Sequence, residues 1–210
     1  MTTIEDGFLA AEAAIILVIM LWSGWNHEAA GGLKAMPAAA AFILFALLGQ
    51  FQTQGQLLQW NGSAIGLLLL AAWIWRKLVP PSDRVYTLGC AFLLGFLQIW
   101  LGTLYGGSPQ LVIIREGWDA AIISGALASL LTLRVTSQVV VLAGAAALAS
   151  LYPVWAAPGL TVTVIGGAAW WDKLALAAFS CRLASLVVQA LAASLGRVLS
   201  HQGNHPEGEA

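Results

Sequence analysis

Apolar residues run along this chain in long blocks, broken at intervals by short polar or Pro/Gly-containing stretches. The blocks predict membrane-spanning helices at residues 8–25, 35–51, 57–75, 85–105, 118–133, 136–155 and 172–195. The fifth block is short. Starting it earlier would take in the apolar residues 111–114 but draw Arg115, Glu116 and Asp119 into the interface, so a six-span reading that merges or expels this block stays open. Between Pro158 and Trp170 the pattern changes: Leu160, Val162 and Val164 alternate with Thr161 and Thr163, a period of two that predicts extended backbone. Such a segment cannot cross lipid alone with its backbone groups unpaired, so it is expected as an external loop lying on or dipping into the bundle. Five glutamines, Gln50, Gln52, Gln54, Gln56 and Gln59, predict a hydrated turn between the second and third spans.

Composition fixes the class. Of 210 residues 60% are hydrophobic and 9% charged, with a mean hydropathy of +0.83, against about a quarter charged in soluble domains. A hydrocarbon layer of about 30 Å takes about 20 helical residues per crossing, so the length suits about six to eight spans. The chain is therefore expected to be an all-α, polytopic transmembrane bundle occupying residues 1–200, with 201–210 as a disordered cytoplasmic tail. Net charge is −1 with no basic block, which gives no support to nucleic-acid binding. Glu5, Asp6 and Glu12 around the first block are unlike the positive leader of a cleavable signal, and the block is expected to be a retained helix.

Lys and Arg set the predicted orientation, because basic loops are retained on the cytoplasmic side. With Arg76, Lys77 and Arg84 inside, Lys34, Arg134 and Arg197 also fall inside, and only Arg115 and Lys173 fall outside. The N-terminus is then external and the C-terminus cytoplasmic. Tryptophans agree with these boundaries. Trp22, Trp25, Trp73 and Trp75 fall at the inner surface and Trp60, Trp118, Trp155, Trp170 and Trp171 at the outer, with Trp100 somewhat deeper. Gly62/Gly66, Gly102/Gly106 and the Ala/Gly/Ser content of the fifth and sixth spans predict close helix packing within one bundle. Cys90 and Cys181 are expected at heights differing by roughly 10 Å, as buried thiols without a disulfide.

Few polar groups are candidates for chemistry. Arg182 lies ten positions past Asp172 inside an apolar run, about 15 Å down the helix. A charge at that depth needs a partner. Its side chain leans outward toward Glu12, and a Glu12–Arg182 ion pair between the first and seventh spans is expected, either fixing helix register or lining an anion or proton path, the alternative being that Arg182 merely snorkels. Arg115, Glu116, Asp119, Asp172 and Lys173 form a second, external polar cluster. Acids and interspersed cations at span ends suit a solvated rim better than paired-carboxylate catalysis. Gln98 and Gln138 are expected as interhelical hydrogen-bond formers. His201 and His205 have a helical metal-pair spacing, but Gly203, Asn204 and Pro206 oppose helix there and no third ligand is near. None of the short nucleophile, metalloprotease, phosphate-loop or dinucleotide motifs occurs. The seventh span lacks the central lysine of a retinal protein.

Ser23-Gly24-Trp25 with Glu28, the Tyr105-Gly106-Gly107-Ser108-Pro109 break, Thr136 to Gln138, and Trp170-Trp171-Asp172 ahead of Arg182 resemble the YphA family of small bacterial multi-pass membrane proteins. The resemblance extends over the whole length. It implies membrane localisation in endospore-forming Gram-positive bacteria, with no assigned activity, catalytic set or cofactor. The reading is a non-enzymatic structural or partner-binding protein of the bacterial plasma membrane, surrounded by lipid and with a membrane-protein partner or a second copy as candidate associates. A small transporter or channel subunit with a polar path near Arg182 and Glu12 is the alternative.

Overall fold

Proline, glycine and capping side chains punctuate the apolar blocks into helices, six of them among the described residues. In the computed structural model the described residues are 6–23, 44, 47–53, 55, 58–115, 117–156 and 162–202, with backbone alone for 21 and 195–202. The helices are α1 (Phe8–Trp22), α2 (Gly62–Lys77), α3 (Pro81–Gly107), α4 (Trp118–Leu131), α5 (Val135–Ala156) and α6 (Ala168–Gln202). Within them Pro81–Gly107, Val135–Ala156 and Ala168–Ser194 are long and apolar enough to cross a membrane, whereas α1 and α4 are shorter apolar helices. The expected 35–51 span falls mostly outside the described residues, as do all of the residues after Gln202. Because α6 continues to Gln202, the expected tail boundary at 200 falls inside a helix.

The fold is not purely helical. Strands β1 (Gln52–Thr53), β2 (Leu58–Asn61) and β3 (Thr163–Ile165) form a small sheet in the order β1-β2-β3. The β1–β2 pair is antiparallel and the β2–β3 pair parallel, with Leu58, Gln59 and Trp60 opposite Thr163, Val164 and Ile165. The described part of the period-two segment, Thr163–Ile165, is thus extended, and the glutamine stretch supplies its partner strand. This corrects the expected start of the third span at 57. Residues 58–61 are strand, and Asn61 ends it by accepting the N–H of Ser63 at 3.0 Å, a side-chain cap that starts α2. Gly62 is required there, since a Cβ would meet the carbonyl oxygen of Leu48.

An earlier start for the fifth span is likewise excluded. Residues 109–111 form a single 3₁₀ turn, and α4 begins only after Gly117, whose φ of 83° lies in the left-handed region.

Helices pack mainly as α4 on α6 and α3 on α5. A Cβ on Gly125 of α4 would meet the carbonyl of Ala177 and the hydroxyl of Ser180 on α6. On α3, a Cβ at Gly95 would come within 2.6 Å of Leu148, and one on Gly144 of α5 within 3.0 Å of Ala91. Without a strong hydrophobic force between helices in lipid, such close approach supplies the dispersion contacts. The glycines that do this differ from part of the expected set, because around Gly102 and Gly106 a Cβ would find open space. The core between these helices contains Cys90, Leu94, Ala128, Val141, Ala145, Ala177 and Cys181, and both cysteines are free and buried as expected.

Two ends result. At the sheet end lie the strands and the N-termini of α1, α2, α4 and α6, tied together by β2–β3 pairing and by Asp172 bonds to Gly7 and Ala10. At the opposite end, the floor, the α2–α3 and α4–α5 turns meet: Tyr86 donates to the Leu131 carbonyl at 2.8 Å and Arg134 pairs with Asp83 at 3.1 Å. Trp75 Nε1 donates to the Arg84 carbonyl and Arg84 Nε to that of Leu78, holding the α2–α3 turn.

Candidate functional site

The polar residues singled out above gather in two places. At the sheet end, Asp172 sits in the second turn of α6 and is only 1% exposed. Its Oδ2 accepts the N–H of Gly7 at 2.7 Å and its Oδ1 that of Ala10 at 2.8 Å. The first N–H groups of a helix have no partner inside it. Gly7, the cap residue of α1, offers no side chain of its own, so a carboxylate from another helix fills the role and also suits the positive end of the α1 dipole. Gly7 adopts φ 96°, and a Cβ there would come within 3.1 Å of Ala168.

Asp119 performs a similar task nearby. It is 4% exposed and accepts the N–H groups of Ile113 and Ile114 at 2.8 and 3.2 Å, folding the segment ahead of α4 back onto its first turn. Arg115 forms an exposed 3.5 Å ion pair with Asp6 and lies over the Trp118 ring at 5.3 Å. Lys173 packs its stem against Gly117, where a Cβ would lie 2.8 Å from its Cε. Four of the five residues of the expected external cluster, Arg115, Asp119, Asp172 and Lys173, therefore share one end; Glu116 lies outside the described residues. The two buried carboxylates accept from separate pairs of backbone N–H groups, an arrangement that holds helix ends rather than one that splits a proton between two acids. Two indoles complete this end. Trp170 Nε1 donates to Ser150 at 2.9 Å and Trp171 Nε1 to Ser63 at 3.1 Å, with the rings edge to face at 5.1 Å.

Deeper in the bundle lie Arg182, Gln138, Ser185, Gln98 and Ser124. Gln98 donates to Ser124 at 2.8 Å, joining α3 to α4. Gln138 donates to Ser185 at 2.9 Å and to the Thr132 carbonyl at 2.7 Å, joining α5 to α6. Both glutamines thus act as the interhelical bond formers expected of them.

Arg182 is half-buried, with Nε and Nη1 shielded from solvent. The expected ion pair with Glu12 is not formed. Glu12 is exposed on α1, and the ion pairs within the described residues are Asp6–Arg115 and Asp83–Arg134. The reason is height: Asp172 pins Ala10, so Glu12 starts only about 3 Å further along α1, whereas Arg182 lies about 15 Å down α6 from the same point. No signal in the sequence tied Asp172 to the backbone of α1, because a carboxylate capping a distant helix leaves no local motif.

Two surface grooves accompany these features. One of about 480 Å³ is lined by Thr53, Trp60, Ile65, Leu68 and Leu69, and one of about 170 Å³ by Ala14, Ile15, Val18 and Ile19. Both are open and almost wholly apolar, and neither is lined by Arg182 or Gln138. Among the described residues there is no group of three His, Cys, Asp or Glu side chains placed to hold a metal ion. The expected His201/His205 pair falls where side chains are not described.

No curated protein and no solved structure matches the chain. The helices, their lipid-suited surfaces and the capped bundle agree with a family model that matches: a model described as YphA-like integral membrane protein covers residues 32–207, and the chain belongs to that family.

Proposed function

We propose that this integral membrane protein is a non-enzymatic structural or partner-binding component of a bacterial plasma membrane, with seven spans, an external N-terminus and a cytoplasmic C-terminus. The observation that supports this reading best is how the buried polar groups are used. Asp119 and Asp172 cap backbone, and Gln98 and Gln138 bridge helices, so these groups hold the bundle together instead of converging on a cleft. The orientation draws support from charge. Arg76, Lys77, Arg84 and Arg134 lie at the floor against Arg115 and Lys173 at the sheet end, and basic residues favour the cytoplasmic face.

Two measurements test the proposal. In intact cells, an impermeant maleimide should label a cysteine placed at Ser108 and spare one placed at Ser82; the reverse pattern would reject the orientation. Purified protein in sealed liposomes should leave proton and anion gradients as slow to decay as in empty liposomes. A leak abolished by Arg182→Leu, in protein that still folds, would favour the small-transporter reading over this one.

A further inference from the structure

The outward face of α2 carries an apolar groove along its length and two cations at its end. At about 100° per residue, Ile65, Leu69, Trp73 and Arg76 fall within one sector of about 80°, and all four are exposed, Leu69 at 67% and Trp73 at 60%. The opposite face is the packed one, with Ala64 and Ala71 buried and Leu67 against the Trp170 cluster.

Lys77 joins the exposed sector from the side. Its Nζ lies 5.8 Å from the centroid of the Trp73 ring, so the ammonium is drawn over the outward-facing indole. The turn that follows is braced: Arg84 Nε donates to the Leu78 carbonyl at 2.8 Å and Trp75 Nε1 to that of Arg84 at 3.0 Å, which fixes a third cation in the same turn. Charge at this end is unbalanced. Among the described residues neither Arg76 nor Lys77 has a carboxylate partner, and Asp83, the carboxylate of the described floor, is engaged by Arg134. A negatively charged group is therefore favoured, whereas a zwitterionic headgroup would bring its ammonium up against charges of the same sign.

Depth identifies the rest of the ligand. The groove of about 480 Å³ is lined by Ile65, Leu68 and Leu69 together with Thr53 and Trp60. Along the helix, Leu69 stands about 10 Å and Ile65 about 16 Å from Arg76. Half of a hydrocarbon layer of about 30 Å is about 15 Å, so an acyl chain entering the bilayer from a phosphate at Arg76 and Lys77 reaches that groove past Trp73. A soluble anion would use the cations and leave the groove unfilled.

We propose that the outward face of α2 binds an anionic phospholipid of the floor-side leaflet, with its phosphate on Arg76 and Lys77 and one acyl chain laid past Trp73 along Leu69 and Ile65. Such a site is independent of the partner-binding reading and of which side of the membrane the floor faces.

The test uses the full chain, purified in neutral detergent, titrated with phosphatidylglycerol or phosphatidylcholine and read by native mass spectrometry. One phosphatidylglycerol per chain is expected to be retained at least about tenfold more strongly than phosphatidylcholine, and R76Q/K77Q should weaken its binding about tenfold or more. L69W fills the groove without touching the cations and should weaken phosphatidylglycerol several-fold, which keeps the test decisive if the double variant fails to fold. R115Q, at the sheet end, should leave binding unchanged. Equal retention of the two lipids, or indifference to either variant, overturns the proposal. So does displacement of the lipid by inorganic phosphate at an equal concentration, which would assign the cations to a soluble anion. A lipid-free doubled mass that R76Q/K77Q abolishes would assign the face to a second copy and overturn the proposal equally.

Discussion

Replacing Asp172 by alanine tests the assignment of that carboxylate as the cap of α1. The side chain is buried and accepts two N–H groups at 2.7 and 2.8 Å from the first turn of another helix. Hydrogen bonds to charged groups contribute about 1.5–3 kcal/mol each, and a partly buried donor left unmade adds cost instead of being neutral. The two bonds are not independent, since one carboxylate makes both, so the loss expected for Asp172→Ala is about 3–4 kcal/mol rather than the sum of the upper values. Asp172→Asn keeps the shape and one acceptor and turns an amide N–H₂ toward a donor; about 2 kcal/mol is expected. The assay is reversible unfolding in mixed micelles followed by tryptophan fluorescence, with hydrogen exchange at Gly7 and Ala10 as the local readout. Both amides should exchange faster in Asp172→Ala while those of α5 hold. Glu12→Gln, on the exposed face of α1, should change stability by less than about 0.5 kcal/mol. A loss under about 0.5 kcal/mol for Asp172→Ala, or a larger loss for Glu12→Gln, would falsify the capping assignment.

Other expectations can be checked in the same assay. Gly125→Val puts methyl groups onto the Ala177 carbonyl and the Ser180 hydroxyl and should lower stability by at least about 2 kcal/mol or prevent folding, whereas Gly102→Ala, which enters open space, should stay within about 0.5 kcal/mol. Gln138→Leu removes the bonds to Ser185 and the Thr132 carbonyl and should cost about 0.6–1.7 kcal/mol, the range of interhelical bonds in a membrane. Asp83→Asn at the exposed Arg134 pair should cost less than about 1 kcal/mol, and less still in high salt.

Helix positions were legible because a bilayer demands long apolar runs, and α3, α5 and the start of α6 fall within four residues of their expected bounds. The strands show where that signal thins. Alternation at Leu160 to Val164 marked extended backbone, but its partner Leu58–Asn61 reads as the start of an apolar run, and only the Asn61 cap and the tight fit at Gly62 separate strand from helix. Glycine spacing held at Gly62, which Leu48 approaches closely, and failed at Gly102 and Gly106 for a different reason. Four-residue spacing says that a smooth patch exists and not which way it faces; Gly102 and Gly106 face open space, while the contacts are made by Gly95, Gly125 and Gly144, which stand alone in sequence. Of the candidate site, the external cluster was legible as a location, and the use of its carboxylates on backbone N–H groups was not, because their partners lie up to 165 positions away.

The two ends of the molecule are built by different means, and that difference bears on which end opens more easily. At the sheet end, contacts join segments far apart in sequence: β2 with β3, Asp172 with Gly7 and Ala10, Trp171 with Ser63. Such cross-links leave little room for a segment to move without breaking several buried bonds at once. At the floor, adjacent helices are joined by short turns and the Asp83–Arg134 pair is exposed. Displacing a helix at the sheet end would have to break carboxylate and indole bonds already satisfied, so local opening is easier at the floor.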